Sequence, residues 1–454
     1  MRKHPFYVLS IAIVSIVMAL TSCDPQLEPK QYTVTFDANG AKGTAPTEMT
    51  VTEGESFTVP QGDGLEMTGY TFVEWNTEPD GSGTAYKPGD AASVDADTKL
   101  YAFFSDSIWK FSYLEDSDSY SIKCIDKTIT SCNIPSSYKG KAVTVIEENA
   151  FIDCSNLESI TIPNSVTGIE RQAFAGCTNL ESITIPNSVT HMDESAFYGC
   201  TGLISITLPS NITSIGKEVF KYCTGLKSIT IPDGVALIDE NAFNNCTNLR
   251  FIVLPNSVTS IGTGAFYRCE NLKCIVIFGK VTRIEESTFS LCKNLEVVSL
   301  PDSVKEIGQF AFSECEKLEY INIPNGVESI ERSAFSNCKA LVSITIPEGI
   351  KSIEESTFLN CIRLVSIILP DSVKTIGPSA FEGCSALGSV TIPSSVNSID
   401  KYAFYNCLTL KTINFQGTEK QWNAITKGTD WDYGAGMNTE TGSYSINYLG
   451  DSTT

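Results

Sequence analysis

The chain has 454 residues, of which 42% are hydrophobic, so it is long enough for several folded domains or one long repeat array. Lysine and arginine total 32 against 53 aspartates and glutamates, a formal net charge of −21, and so acidic a surface argues against nucleic acid as a partner. The only histidines are His4 and His191, which argues against histidine-based catalysis and most transition-metal sites.

The first 23 residues have the pattern of an export signal. A positively charged start precedes an apolar run over residues 6–20, shorter than the roughly 20 residues that a membrane-spanning helix needs. The run leads into Leu-Thr-Ser-Cys23, which resembles the bacterial lipobox. The resemblance implies a lipoprotein signal peptide over residues 1–23, diacylglycerol on the Cys23 thiol, and a short tether over residues 24–31. The chain is then expected to be exported and lipid-anchored to the bacterial outer membrane or cell surface, and an ordinary secreted protein with an incidental cysteine is the alternative.

Residues 32–104 alternate apolar and polar side chains, as strands with one buried face do. The predicted strands cover residues 32–36, 69–75, 81–86 and 98–103, with a turn over residues 37–40. The segments VTFDANG, GYTFVEW and TKLYAFF resemble the internalin-type B repeat, also called the Listeria–Bacteroides repeat. The resemblance implies a small β-grasp module that serves as a stalk or spacer, although Glu74 stands where the family usually has glycine. Trp75, with Tyr70 and Phe72, is expected to form the core of this module in preference to a ligand-stacking surface.

A strict repeat of 23 residues follows residue 146, and each copy carries a cysteine at the same place. The twelve cysteines stand at residues 154, 177, 200, 223, 246, 269, 292, 315, 338, 361, 384 and 407. The copies read Phe-x-x-Cys-x-x-Leu-x-x-Ile-x-Ile-Pro or a close variant, so the alternating isoleucines predict a short strand that proline ends. One copy has too few apolar side chains to fold alone, whereas stacked copies bury continuous columns of Phe, Cys, Leu and Ile. The period therefore predicts a solenoid.

This frame resembles the BspA-like leucine-rich-repeat family of bacterial surface proteins. The expected fold class is an α/β-type solenoid of twelve leucine-rich repeats over residues 151–416, with one short strand per coil. Residues 105–150 resemble the N-terminal leading coil of that family, and residues 417–454 resemble its C-terminal cap and tail. Such ends are needed because an open stack would expose its core and its strand edges.

The column of cysteines invites a metal or disulfide interpretation, but its geometry argues against both. Equivalent side chains in successive coils point in parallel, which is poor disulfide geometry, and free thiols in an apolar frame behave as small hydrophobic groups. Buried core cysteines are therefore expected. Cys124 and Cys132 lie outside the frame and are better disulfide candidates, because an exported protein meets oxidising conditions.

The outward-facing strand positions differ among the copies. Two neighbouring columns carry serine or threonine in most coils and lose these hydroxyls in the middle of the array. The residues found there instead are Phe251, Val253, Cys274, Val276, Val297 and Tyr320, and Phe278-Gly279 replaces the usual proline nearby. Contiguous exposed apolar surface usually has a use, so we hypothesise that these six residues bind a partner protein. Cover by a flanking loop, or drift among the repeats, is the alternative.

The leading functional hypothesis is an adhesin-like surface protein with tether, spacer and binding array in that order. The family resemblance implies host matrix, host-cell or bacterial proteins as partners, with membrane contact only through the N-terminal lipid. A glycan-binding or nutrient-capture surface lipoprotein is the alternative, because the hydroxyl ladders can contact sugars. No enzyme activity, cofactor or metal is expected, since the sequence lacks phosphate loops and zinc spacings and His191 stands where other copies have glycine or serine.

Overall fold

The computed structural model describes residues 29–67, 70–106, 108–437 and 443–451, which belong to two compact units that divide after residue 108. The expected signal peptide and Cys23 lie outside the described residues. No helix within the described residues is both long and apolar enough to cross a membrane.

The N-terminal unit is built on a mixed five-stranded sheet. Its strands are β1 (Gln31–Asp37), β2 (Met49–Thr52), β4 (Tyr70–Asn76), β5 (Ala85–Tyr86) and β7 (Thr98–Asp106), in the order β2–β1–β7–β4–β5 across the sheet. A separate pair is formed by β3 (Phe57–Thr58) and β6 (Ala91–Ala92). The first and last strands, β1 and β7, are parallel neighbours, whereas the remaining pairs are antiparallel. Asn39 and Gly40 have φ values of 50° and 84°, so the turn lies where the sequence predicts it.

Trp75 lies at the centre of the core of this unit and is fully buried. Its ring meets Phe36 and Phe72 edge-on, with centroid separations of 4.9 and 5.2 Å. The indole N–H donates a hydrogen bond to the carbonyl of Pro60 at 2.9 Å. Trp75 and Phe72 are therefore core residues as predicted, while Tyr70 is exposed and lies outside this cluster.

The C-terminal unit is a β-solenoid whose coils stack through two parallel ladders. The first ladder contains β10 (Ser131–Asn133), β13 (Ser159–Thr161), β15 (Ser182–Thr184), β17 (Ser205–Thr207), β20 (Phe251–Leu254), β22 (Cys274–Ile277), β24 (Val297–Ser299), β28 (Ser366–Ile368), β30 (Ser389–Ile392), β32 (Thr412–Phe415) and β34 (Ser445–Tyr448). The second contains β12 (Lys141–Ile146), β14 (Gly168–Ile169), β16 (His191–Met192), β18 (Ser214–Ile215), β19 (Leu237–Ile238), β21 (Ser260–Ile261), β23 (Arg283–Ile284), β25 (Glu306–Ile307), β26 (Ser329–Ile330), β27 (Ser352–Ile353), β29 (Thr375–Ile376), β31 (Ser398–Ile399) and β33 (Thr426–Lys427). We call the outward side of the first ladder the strand face.

The predicted leucine-rich-repeat solenoid is confirmed, and its coils differ from the expected coil in two ways. Most coils contain a second strand of two residues, and residues 151–416, all of them described, contain no helix. A two-residue strand has no apolar–polar alternation to recognise, so the sequence pattern indicates only the first strand of each coil.

The core of the solenoid consists of continuous columns of identical side chains. The phenylalanine rings of successive coils stack nearly parallel, with centroids 5.0–5.8 Å apart from Phe151 to Phe404. All twelve repeat cysteines are fully buried, as predicted. A strict period produces this arrangement because each side chain finds its own kind one coil away.

The repeat cysteines also form hydrogen bonds that their spacing does not reveal. From Cys177 to Cys407, each thiol donates to the carbonyl of the phenylalanine 26 residues earlier, at 3.1–3.3 Å. Burial raises the pKa of the Cys223, Cys338 and Cys384 thiols to about 12, so these three remain protonated donors. The cysteine column therefore packs in the apolar core and also links successive coils through hydrogen bonds.

Both ends of the phenylalanine column are closed by tryptophan. At the N-terminal end, before the first repeat, β8 (Trp109–Leu114) pairs with β9 (Ser119–Cys124), and β11 (Ser137–Tyr138) pairs with β12. Trp109 meets Phe151 edge-on at 5.8 Å, and Trp431 meets Phe404 edge-on at 6.0 Å. The C-terminal end also has the helix α1 (Glu419–Ala424), which begins with a capping box, and a 3-10 turn (Leu449–Asp451).

Candidate partner-binding surface on the strand face

The central strands of the first ladder bring the hypothesised binding residues side by side. β20, β22 and β24 pair in parallel, with Phe251 opposite Cys274 and Cys274 opposite Val297. Val253 lies opposite Val276 in the neighbouring column. Paired strands are about 4.8 Å apart, so these side chains form one contiguous group, which together with Tyr320 in the next coil we call the apolar band.

The apolar band is open to solvent in the folded chain. Phe251, Val253, Val297 and Tyr320 are 56, 53, 53 and 59% exposed, while Cys274 and Val276 are half-buried. The alternating residues of the same strands, such as Ile252 and Ile275, are buried in the core. The pleat of the strand thus divides the apolar residues between the core and the surface.

Phe278 widens the apolar band and was not among the six predicted residues. Its side chain is 61% exposed, and its backbone N–H donates to the carbonyl of Leu254 at 3.1 Å, a bond that proline at this place cannot make. The next residue, Gly279, must be glycine because a Cβ there would lie 1.8 Å from the carbonyl oxygen of Val258. In the sequence, Phe278 is marked only by the absence of the proline that ends this strand in most other coils.

A second, smaller apolar group lies on one later coil. Ile362, Val365 and Ile368 are all exposed. The sequence pattern does not reveal this group, because only Ile368 lies in the two outward-facing columns of the first ladder. It is confined to one coil, so it offers a compact surface control for the apolar band.

His191 lies beside two carboxylates of the second ladder. The ligand atoms of Glu170, His191 and Asp193 are all within 4.8 Å of one another, and the imidazole is about half exposed. Partial burial, together with hydrogen bonding and repulsion from Asp193, raises the pKa of Glu170, and the nearby imidazole opposes that change. His191 therefore occupies a surface position, where it contacts its acidic neighbours.

Cys124 and Cys132, the two disulfide candidates outside the repeat frame, are free thiols in the structure. Cys124 donates to the carbonyl of Asp126 at 3.1 Å. Cys132 lies on β10 in register with Ile160. A disulfide between Cys124 and Cys132 stays a prediction.

These features define a class of protein, a capped leucine-rich-repeat solenoid with a non-uniform strand face. The sequence profile of the BspA type leucine rich repeat region matches residues 123–250, 213–342 and 305–425. The matches cover about two thirds of the sequence, and the chain belongs to this family. The Listeria-Bacteroides repeat domain matches residues 32–103. Proteins of the BspA-like family are surface proteins and typically not enzymes, and membership suggests protein–protein binding in general.

Solved structures of other bacterial leucine-rich-repeat proteins are similar to this chain. A leucine rich cell surface protein of Faecalibacterium prausnitzii is 30% identical, with 71% of this chain and 97% of that one covered and a TM-score of 0.45. The T. pallidum leucine rich repeat protein is 26% identical, with 46% and 88% covered and a TM-score of 0.36. The pneumococcal vaccine antigen PcpA is 21% identical, with 76% and 95% covered and a TM-score of 0.47.

Two curated relatives from Evansella cellulosilytica match a short part of the chain. A putative Gly-rich membrane protein is 38% identical and a putative membrane protein is 36% identical, each over 85 residues. These matches cover 18% of this chain, and the chain spans only 10% of the length of the first relative and 13% of the second.

Proposed function

We propose that this chain is an adhesin-like, lipid-anchored surface protein whose repeat array binds host matrix, host-cell or bacterial proteins. The apolar band is the observation that carries the proposal, because it interrupts ladders of serine and threonine on an otherwise polar strand face. An apolar centre with a polar rim is the usual anatomy of a protein interface. A soluble protein seldom leaves such a surface uncovered without a use for it.

The aromatic residues of the apolar band are the strongest candidates for binding energy. Phe251, Phe278 and Tyr320 each expose more than half of their surface. A partner that covers these rings removes a large apolar area from water while the side chains lose little rotamer freedom. We therefore expect binding to depend on these rings more than on the hydroxyl ladders.

A binding screen with matched variants tests this proposal. The full chain is presented to immobilised extracellular-matrix proteins, bacterial surface proteins and glycans, and F251S/Y320S is compared with V365S/I368S. The first variant removes two rings of the apolar band, and the second removes two exposed apolar side chains from the control coil. We expect F251S/Y320S to bind its protein partner at least about tenfold more weakly, while V365S/I368S binds as the parent does.

Three results of the screen would contradict the proposal. Unchanged affinity of F251S/Y320S would remove the apolar band as the binding surface. Binding to glycans alone, undiminished in F251S/Y320S, would favour the alternative of a glycan-capturing lipoprotein. Binding to neither proteins nor glycans would reject both functions.

Lipid anchoring and surface display are tested on intact cells. The wild-type chain should enter the detergent phase on phase separation, and Cys23→Ser should abolish this partition because the thiol carries the lipid. Protease treatment of intact cells should remove the repeat array. Full resistance in cells that stay intact would contradict display at the surface, and adhesion with it.

A further inference from the structure

A short row of cations borders the apolar band. Lys227, Arg250 and Lys273 each stand immediately before the strand-face residue of their coil, and all three are exposed. The backbone N–H of Arg250 donates to the carbonyl of Lys227 at 3.3 Å, and that of Lys273 donates to the carbonyl of Arg250 at 2.9 Å. These bonds hold the three residues in register on successive coils, and we call them the cation row.

The cation row is distinguished by its position, because its three cations lie on successive coils in one column. Most lysines and arginines among the described residues lack an ion pair, and those that have one include Arg171 with Glu148 at 2.9 Å and Lys339 with Glu316 at 2.9 Å. No residue of the cation row forms an ion pair with any carboxylate among the described residues. Three neighbouring unpaired cations create a local positive potential on a molecule whose net charge is −21.

The same position carries the opposite charge on either side of the cation row. Glutamate occupies it at residues 158 and 181 in earlier coils, Ile204 in the coil directly before Lys227, and glutamate again at residues 296 and 319 in the next two coils. The positive segment therefore coincides with the coils that begin the apolar band, because Arg250 precedes Phe251 and Lys273 precedes Cys274. Charge and apolar surface change together along the array.

We propose that the apolar band and the cation row form one docking surface for an acidic, apolar polypeptide segment. The apolar side chains of such a segment cover Phe251 and Val253, and its carboxylates face Lys227, Arg250 and Lys273. Electrostatic complementarity of this kind selects partners and orients them on a shared apolar contact. Because the charge reverses between Lys273 and Glu296, the carboxylates of the segment lie toward the Lys227 end. This inference rests on the proposed protein-binding function and adds the chemistry of the partner.

A peptide-library selection on the full chain tests the inference without a known ligand. The probes are a displayed random-peptide library, the synthetic peptides that it enriches, and a labelled single-stranded oligonucleotide. The charge-reversed variant is K227E/R250E/K273E, and its control, K305E/K351E/K374E, makes the same change in charge at exposed lysines beside the second ladder. F251S/Y320S reports on the apolar band alone.

We expect the parent chain to enrich peptides that place aspartate or glutamate beside aliphatic or aromatic residues. Binding of such a peptide should weaken at least about tenfold in K227E/R250E/K273E and should stay unchanged in the control. It should also weaken when NaCl rises from about 50 mM to about 500 mM, because salt screens exposed charges. All three results together support the docking surface.

The outcomes separate this inference from the function on which it rests. Apolar peptides enriched without excess acid, or equal binding by K227E/R250E/K273E, would overturn the inference, and loss of binding in F251S/Y320S would then leave the proposed function standing. No enrichment, or enriched peptides that bind F251S/Y320S as tightly as the parent, would overturn both. Tight binding of the oligonucleotide would also overturn the inference, because the cation row would then serve nucleic acid.

Discussion

Phe251 lies on the strand face and Phe266 in the core, so the cost of the same substitution can be compared at the surface and in the core. Phe266 is fully buried and stacks between Phe243 and Phe289 at 5.3 and 5.6 Å, whereas Phe251 is 56% exposed. Phe266→Ala removes a core ring and leaves a cavity in the column. A change of this kind costs about 3–5 kcal/mol.

The expected cost of Phe251→Ala is much smaller. Burial of a whole phenylalanine covers about 150–250 Å², so the covered part of Phe251 amounts to about 90 Å². At about 25 cal/mol per Å² this gives an upper bound of about 2 kcal/mol. We therefore expect Phe251→Ala to cost about 1–2 kcal/mol. Since the middle of the range for Phe266→Ala is about 4 kcal/mol, the two costs should differ by at least about 2 kcal/mol.

Urea unfolding followed by circular dichroism measures both costs. The lost ring of Phe266 lies in the interior of a linear array, so the variant is also expected to broaden or split the transition as the coils on either side unfold separately. Equal losses for the two variants, or a loss below about 1 kcal/mol for Phe266→Ala, would refute the assignment of the two rings to surface and core.

Three further substitutions probe the coil itself. Cys269→Ser keeps a donor for the carbonyl 26 residues earlier but buries a more polar group, so urea unfolding should show a loss of about 1–2 kcal/mol, and no loss would contradict the apolar role of the thiol. Glu170→Gln should stabilise the chain by less than about 1 kcal/mol at pH 7, measured as a higher melting temperature. The reason is that the pKa of Glu170 is raised beside Asp193, so that ionisation of Glu170 opposes folding as pH rises. This gain should vanish below about pH 4, where the carboxyl is protonated in both states, and a gain that persists there would have another cause. Glu314→Gly should stabilise the chain in urea by about 0.5–1 kcal/mol because Glu314 has a φ of 63°, and destabilisation would show that its side-chain contacts outweigh this strain.

The core of the solenoid was predictable because its signal is repeated twelve times. A side chain that recurs every 23 residues faces its equivalent in the next coil, so the buried columns of Phe and Cys follow from spacing alone. The left-handed residues of each coil could not be predicted in the same way. Glu314 and Leu291 both occupy the position before the repeat cysteine, where seven of the other ten coils have glycine or asparagine, so the backbone imposes the conformation and the residue type does not reveal it.

The candidate surface was predictable only in part. Reading the strand columns found Phe251 and its neighbours because their residue types depart from the serine and threonine of other coils. The cation row lies one residue before these columns, and whether its cations form salt bridges is a property of the folded chain. Phe278 was visible as a missing proline, but its exposure depends on a bend of the backbone that Gly279 permits.

Alkylation of Cys274 in the presence of a bound partner tests the central claim most directly. Cys274 is half-buried in the middle of the apolar band, whereas the twelve repeat cysteines are fully buried. Tryptic peptide Cys274–Lys280 reports its modification, and partly exposed Cys132, kept as a free thiol by prior mild reduction, serves as an internal control near the N-terminal end of the array. Saturation with a protein partner from the screen should slow alkylation of Cys274 at least about tenfold and leave that of Cys132 unchanged, because the partner covers the apolar band. An unchanged rate at Cys274 with the partner bound would show that binding occurs elsewhere on the chain.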